Sequence, residues 1–455
     1  CYGDTLARTP HIDALAGRGM TFTRRYCQQA VCAPSRVSLM TSRYPDQTRV
    51  WDLQTLMRDM DPGIVTLPQY LIQKGYRTSG TGKILDYRST DGGQDSPSWS
   101  IAFRGAWDPK YYSPETGKPM YYYYASQHAR DTFAILEAEA SALGVNKTDY
   151  VKARYFPAFE KADVPLDAYA DGAIANVGME LLEESAASGK PFFVAVGFQR
   201  PHLPFNAPEK YWALYDGKVT LPDNNHPPEN APPESLHNFG ELRAYAGVPP
   251  GGPLSDEFAL ELIHGYYASV SYTDAQIGKI LDELERLELD RTTIVILWGD
   301  HGWNLREHGL WCKHCNYETS LHTPLILKVP GTEQVGATSE IVEYVDIYPT
   351  LCELVGLELP EHLQGKSFRE LLFDPDASSD GVAICQWFAG ITTIRENWFY
   401  TEWVDDLDSS YARMLYDHRV DPHENMNISE DPIHSEIIES LSAEMRRSRA
   451  PNYFE

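Results

Sequence analysis

The chain has 455 residues, 42% hydrophobic and 23% charged, with 10 Trp, 28 Tyr and 16 Phe, a composition that excludes a disordered chain and supports a large core. Its 65 acidic residues against 39 Lys and Arg give a net charge of −26, which excludes a surface built to wrap nucleic acid or an anionic membrane, so an anionic ligand needs a local cluster of positive groups. No apolar run approaches the roughly 18 residues of a membrane span, and seven cysteines, Cys1, Cys27, Cys32, Cys312, Cys315, Cys352 and Cys385, are too few for a disulfide scaffold and odd in number.

The sequence opens on Cys1-Tyr2-Gly3-Asp4 without Met or an export leader, as a trimmed chain does. Val31-Cys32-Ala33-Pro34-Ser35-Arg36 then leads into Val37-Ser38-Leu39-Met40-Thr41. Pro34 suits a first helical turn, so Cys32 is expected just ahead of a helix N-terminus, where unpaired N–H groups favour negative charge. Arg36, one turn on, is able to face it; the same pattern also fits a buried cysteine at an ordinary helix start. Thr81-Gly82-Lys83 follows an apparent strand. Glycine there lets the backbone approach a ligand and lysine brings a point charge, although a lone Lys is ordinarily a solvated surface residue. Residues 86–125 read as a long surface loop ending in Tyr121 to Tyr124, which serve as packing or as an outer wall.

Phe192 to Val196 is read as a buried strand, with Arg200-Pro201-His202 beyond its carboxyl end. A histidine there can pass a proton near neutral pH, or simply pack within a hydrogen-bonded loop. Residues 222–253, with three Pro-Pro pairs, read as a second surface loop. Tyr266, Val270, Thr273, Ile277, Ile280, Leu284 and Leu287 recur at steps of three and four and predict a helix with one core-facing stripe. Ile294 to Trp298 is the strongest strand, closed by Gly299-Asp300-His301-Gly302, where a carboxylate is placed to hold a hard cation. Further on, His301, His308, Cys312, His314 and Cys315 can be taken as a zinc cluster, against which stands the lack of a second compact ligand pair; a Cys312–Cys315 disulfide and two plain thiols are the other readings. Leu325 to Leu327 gives another buried strand.

Short apolar strands alternating with amphipathic helices define the fold class as α/β, a large mostly parallel sheet sandwiched by helices, with ligands expected at the carboxyl ends of its strands. A Pro- and Asp-rich stretch at 374–381 divides the chain into 1–377 and a small C-terminal α+β subdomain, 378–455. In the latter, Val382 to Trp387, Ile391 to Ile394 and Trp398 to Trp403 read as antiparallel strands and Glu436 to Met445 as one helix. Asn146-Lys-Thr and Asn427-Ile-Ser are sequons.

Taken together, Cys1-Tyr-Gly-Asp, Gln28 to Arg36 with its Cys-X-Pro-Ser-Arg core, Tyr44-Pro45-Asp46, Gly82-Lys83, Arg200-Pro201-His202, Asp300-His301-Gly302-Trp303, Glu307-His308-Gly309 and Leu415-Tyr416-Asp417 resemble the type I, formylglycine-dependent sulfatases of the alkaline phosphatase superfamily. Within that family the likeness is to the iduronate 2-sulfatase-like polysaccharide and glycosaminoglycan sulfatases, and it spans nearly the whole chain. The resemblance implies a sulfuric ester hydrolase in which Cys32, Arg36, Lys83, His202 and Lys313 are catalytic. Lys83, His202 and Lys313 would bind the sulfate, with Trp303 and His314 beside the sugar, and Cys32, Asp300 and His301 would hold Ca²⁺. It further implies that a formylglycine-generating enzyme converts Cys32 to formylglycine, that the substrate is a sulfated saccharide (a glycosaminoglycan-type uronate 2-O-sulfate or an algal polysaccharide fragment), and that the protein is periplasmic or secreted. Two departures stand out. The family's Asp-Asp metal pair lies on a first strand ahead of Cys1, outside this numbering, and the histidine expected two or three residues after the lysine is missing from Lys83-Ile84-Leu85-Asp86, where Asp86 is the candidate to take its proton. The alternatives are a phosphodiesterase or phosphonate hydrolase of the same superfamily, and a non-catalytic carbohydrate-binding protein.

Overall fold

A computed structural model of the chain describes residues 2–448 apart from 93, 122, 333–334, 375–376, 380 and 406–408. Cys1, Tyr122 and part of the 374–381 stretch thus lie outside the described residues. At the centre, Met20–Tyr26 pairs parallel with Gly336–Glu343 and antiparallel with Leu325–Lys328, which pairs antiparallel with Val295–Trp298. A second ladder joins Arg77–Gly82 in parallel to Phe192–Gly197. Successive strand residues point to opposite faces, and here the two faces meet different helices. Phe193, Ala195, Ile296, Trp298, Leu325 and Leu327 pack with Val37, Leu39 and Met40 of the helix Cys32–Thr41. Phe192, Val194, Val295, Leu297 and Ile326 pack instead with Leu182 of the helix Ala170–Ser188 and with Leu281 and Leu284 of the long helix Asp256–Arg286. Gly178 permits that layer to close, since a Cβ there would stand 2.9 Å from both Ile280 and Val196.

The α/β class and the helical sandwich are as expected, with differences in detail. The strand at 325 runs antiparallel to both neighbours; an all-apolar run reports burial on two faces and carries no information on direction. The strands at 192 and 295 are half-buried. The long helix starts well before its apolar stripe, at Asp256, capped by Ser255 Oγ, which accepts from Phe258 N at 3.3 Å.

The C-terminal sheet is a four-stranded meander, Val382–Trp387, Gly390–Arg395, Trp398–Val404 and Ser410–Asp417, the last of which the apolar pattern did not single out as a strand. One face carries the helix Ser435–Ser448 through Ile438, Leu441 and Met445. The other face sends Ala383, Cys385, Ile394, Phe399, Trp403 and Met414 into the same core as the helix Cys32–Thr41. The tyrosine run is packing: Tyr124 is fully buried against Phe133 and Phe156, and Tyr121 and Tyr123 flank it. Asn427 is buried with both amide ends engaged, accepting from Leu415 N and donating to the carbonyls of Asn230 and Arg413, which removes it as a surface sequon.

Glu343 ties the two sheets together at the edge of the core. Its carboxylate accepts from Gln28 Nε2, Tyr44 Oη and Ile384 N, each at 2.8 Å, and burial together with the neighbouring Asp346 pushes its carboxyl up. Glu343→Ala would strand the buried donors of Gln28 and Ile384 and release the half-buried Tyr44 hydroxyl, and is expected to cost roughly 3 kcal/mol, whereas Glu343→Gln, able to turn its NH₂ to the Tyr44 hydroxyl, should cost less than about 1.5 kcal/mol. Urea unfolding measures both; equal losses would mean that shape, not hydrogen bonding, is what the position supplies.

Candidate active site

Cys32 is the first residue of the helix Cys32–Thr41, one position further in than its spacing suggested, and Val31 in extended conformation brings no side-chain cap to that N-terminus. All ten helix residues are buried. The helix is locked to the end of the strand Val295–Trp298 by Arg36, whose Nε donates to Asp300 Oδ2 at 2.8 Å and whose Nη1 donates to the carbonyls of Lys83 and of Ile84, the latter at 2.9 Å. Ser35 Oγ donates to the Asp300 carbonyl on the same side. Lys83 leaves its strand where Gly82, at φ +75°, faces Gly197: a Cβ on either glycine would lie about 2 Å from a carbonyl oxygen, 2.0 Å for Gly82 and 2.1 Å for Gly197. Only glycines allow that approach, and Lys83 N then bonds Gly197 O at 2.7 Å. Lys313 arrives from a tight turn in which Cys312 and His314 both have left-handed backbones, φ 70° and 77°. Asn304 secures this turn, donating to Cys312 O and Ser320 Oγ.

These segments converge on Cys32. Its Sγ is 3.3 Å from His301 Nε2, and although burial alone would raise the thiol, Lys83 pulls it down against the opposing Asp300, and Lys313 and His301 add to the pull, leaving it lowered to about 5. Burial likewise opposes a charge on His301, but Asp300 and Cys32 outweigh it and lift the imidazole. Asp300 resists its own burial through Arg36, His301 and Lys83 and stays well below the usual carboxylate range. His202 lies at the rim, its Nδ1 2.8 Å from Leu203 O, with burial and Lys313 holding it down. Trp303 is the hub of the wall: its ring meets His202 at 5.4 Å and His301 at 6.3 Å, and Lys313 Nζ sits 4.7 Å from its centroid. From Lys313 an aromatic ledge leads outward through His314, whose ring is 4.9 Å from Trp387, to the exposed Phe388, 4.3 Å further on.

All nine residues singled out from sequence, Cys32, Arg36, Lys83, His202, Asp300, His301, Trp303, Lys313 and His314, therefore meet in one pocket region. The zinc reading fails on geometry: among the described residues the metal-ligating cluster is Cys32, Asp300 and His301, within 4.8 Å of one another, while Cys312 and Cys315 are separate buried thiols. Cys315 pairs with Ser320 Oγ, and His308 packs on Tyr317. Against a calcium ion, which takes six or more oxygens, Asp300 fits as one ligand, but this sulfur, nitrogen and single-carboxylate set does not make up the shell. Asp86 is a correction. It is fully buried, grips Arg88 through two 2.8 Å contacts and stands 3.4 Å from Lys83 Nζ; held far below the usual range despite burial, it is a poor proton acceptor and instead fixes Lys83. Sequence reasoning also missed Glu241, whose carboxylate touches Lys313 and His202; nothing in its spacing within a proline-rich loop marks it.

A model of the sulfatase family matches residues 1–357, and one described as N-sulphoglucosamine sulphohydrolase, C-terminal, matches residues 306–451. Iduronate 2-sulfatase of Homo sapiens is 33% identical over 402 residues, covering 81% of this chain and 68% of the relative. An ulvan-active sulfatase of Formosa agariphila is 26% identical over 98% of this chain and 77% of its own length. The solved phosphonate monoester hydrolase of Agrobacterium radiobacter superposes with a TM-score of 0.73 over 98% of this chain and 92% of its own, at 21% identity, a likeness of fold.

Arg36 is buried and Asp300 is largely so, and losing one leaves the other charged and without this partner. Arg36→Ala is expected to destabilise the chain by about 3–5 kcal/mol, with Arg36→Lys unable to reach all three acceptors and recovering less than half. Denaturant unfolding of the single variants and of Arg36→Ala with Asp300→Asn should show a coupling above about 1.5 kcal/mol; simple additivity would contradict the pairing.

Proposed function

The chain belongs to the sulfatase family and is a sulfatase, and from that premise we propose that it removes O-sulfate from a saccharide, with position 32 as the reacting residue. The observation that carries this reading is the setting of Cys32: the first residue of a helix, ringed by Lys83, Lys313 and His301, in a field strong enough to stabilise an anion there. Family membership brings a formylglycine and a metal ion in general. The surroundings of Cys32 fit an anionic oxygen in place of sulfur, so formylglycine is assigned to this position, installed by a formylglycine-generating enzyme. Its hydrate would supply one oxygen as nucleophile and a second hydroxyl for release of sulfate, which a thiol lacks.

In this reading the chain's own groups do the rest. Lys83 and Lys313 bind sulfate oxygens, and their charge offsets what builds up as the S–O bond breaks. His202, with Nδ1 turned to Leu203 O, carries on Nε2 the proton for the departing sugar oxygen, beside Glu241 and Lys313. Arg36 and Asp86 act on geometry, Arg36 holding Asp300 and Asp86 holding Lys83. Trp303, His314 and the ledge through Trp387 to Phe388 form the stacking surface for sugar rings. The named substrates of the relatives support a glycosaminoglycan-type uronate 2-O-sulfate or an algal polysaccharide fragment, and a polymer of that kind goes with a periplasmic or secreted site of action. Among the described residues no helix is long and apolar enough to cross a membrane. We assign the metal as Ca²⁺ with Asp300 among its ligands, and because one carboxylate does not complete its shell, no step is routed through it. A phosphonate or phosphodiester hydrolase shares the fold, but a nucleophile derived from Cys32 together with the family match favours sulfate.

The test of this reading couples peptide mass spectrometry at position 32 with release of sulfate from a panel of sulfated disaccharides and algal fragments. Turnover is expected to track the fraction of formylglycine, and Cys32→Ala should lose more than about a thousandfold in kcat while still binding sulfate. Full activity with Cys32 wholly unmodified would overturn the mechanism. In an enzyme that also carries the Asp-Asp pair expected ahead of Cys1, chelation is expected to abolish turnover and Ca²⁺ to restore it; restoration by Zn²⁺ alone would overturn the calcium assignment.

A further inference from the structure

The proline-rich loop 222–253 sends one carboxylate into the pocket, on the short helix Gly240–Arg243, and the roles assigned above leave it unused. Glu241 Oε1 lies 2.8 Å from His202 Nε2 and 2.7 Å from Lys313 Nζ, with Oε2 2.6 Å from the same ammonium. Lys313 Nζ is in turn 3.1 Å from His202 Nε2. The partner of His202 Nδ1 is the carbonyl of Leu203, which only accepts, so Nδ1 carries a hydrogen and Nε2 is the nitrogen whose proton comes and goes. Each state of Nε2 then has its own partner. The imidazolium donates Nε2–H to Glu241; the neutral ring accepts a hydrogen from the Lys313 ammonium. Without the carboxylate, the buried Lys313 ammonium 3.1 Å away would oppose the imidazolium.

We propose that Glu241 is a positioning residue of this sulfatase, fixing Lys313 and partnering the Nε2–H that His202 gives to the leaving oxygen. The proposal rests on the reading of His202 given above. As the S–O bond breaks, its electron pair stays with the sugar oxygen, the Nε2–H proton moves to that oxygen, and the freed lone pair of Nε2 turns to an N–H of Lys313. The other groups facing this trio do not replace the carboxylate. Lys83 also opposes protonation of His202, while His314 and His237, held down by burial to about 3 and about 4, and Cys312 and Tyr245, pushed up by burial, are all neutral.

Glu241→Gln keeps the size and removes the charge. A general acid is lost as pH rises through its own titration, so removing the anion should move the basic limb of the kcat/KM profile on a sulfated saccharide down by about one pH unit or more. Glu241→Asp is expected to recover part of the shift. Inorganic sulfate, titrated calorimetrically, should bind the Gln variant as well as wild type or better, because a competing anion is gone. A variant profile that superimposes on wild type after scaling, or a tenfold loss of sulfate binding, would reduce Glu241 to packing. Where turnover is too slow for a profile, NMR titration of the His202 ring decides: it must fall in the variant. A wild-type enzyme that frees no sulfate from any ester sinks the sulfatase reading itself, whereas an active wild type with an unmoved variant sinks only the role of Glu241.

Discussion

The ion pair between Arg36 and Asp300 is the constraint through which the pocket acquires a shape. It joins the first turns of a helix near the start of the chain to the tip of a strand some two-thirds along it, and the spare N–H of Arg36 reaches back to the segment carrying Lys83. Both partners are nearly out of water, where such a pair adds little net stability compared with apolar packing but is costly to break. Its effect is therefore on specificity of structure. The helix terminus at Cys32, the strand end at Asp300 and the lysine at position 83 cannot drift independently while Arg36 binds all three.

A chain of net charge −26 accumulates positive side chains at this one place without collapsing into repulsion, because each cation has a fixed counter-anion. Arg36 has Asp300, Lys83 has Asp86, which also holds Arg88, and Lys313 has Glu241. The anions hold the cations' direction, and although Asp300 itself lies close to Cys32, Lys83, Lys313 and His301 together outweigh it and burial, so the thiol is lowered. At ranges of a few ångströms this local arrangement outweighs a global charge that salt screens beyond about 8–10 Å.

How much of this was legible in the sequence depends on whether the signal was local. The helix at Cys32 and the strand ending at Asp300 announce themselves through residue type and spacing within a few positions, whereas Lys83 stands out from a surface lysine only through the family resemblance; all nine candidate residues do converge. Strand direction at 325 left no mark because buried strands of either direction are uniformly apolar. The strand Ser410–Asp417 was read only as the motif Leu415-Tyr416-Asp417, since its exposed first half dilutes the apolar pattern. Glu241 was invisible for a deeper reason: its meaning lies wholly in Lys313 and His202, tens of residues away, and a Pro-rich loop offers no periodicity from which to place it. Asp86 was visible but misjudged, because its partner Arg88 decides whether it is a base or an anchor.

Under the proposed conversion of Cys32 to formylglycine, burial of the helix Cys32–Thr41 sets a timetable. An enzyme that oxidises the side chain at 32 must grasp a stretch of peptide, yet in the folded protein Cys32 is 2% exposed and every neighbour along its helix is inside. The core that encloses it includes Gly336–Glu343, paired beside Met20–Tyr26. During synthesis that closing strand emerges long after the cysteine, a delay of roughly tens of seconds at ordinary ribosome speeds. The proposed oxidation would thus have a window that begins when position 32 leaves the ribosome and ends when the sheet shuts. On that proposal, molecules that fold before the window is used would be sealed as thiols, and the active fraction of a preparation would record the outcome of a race between maturation and folding.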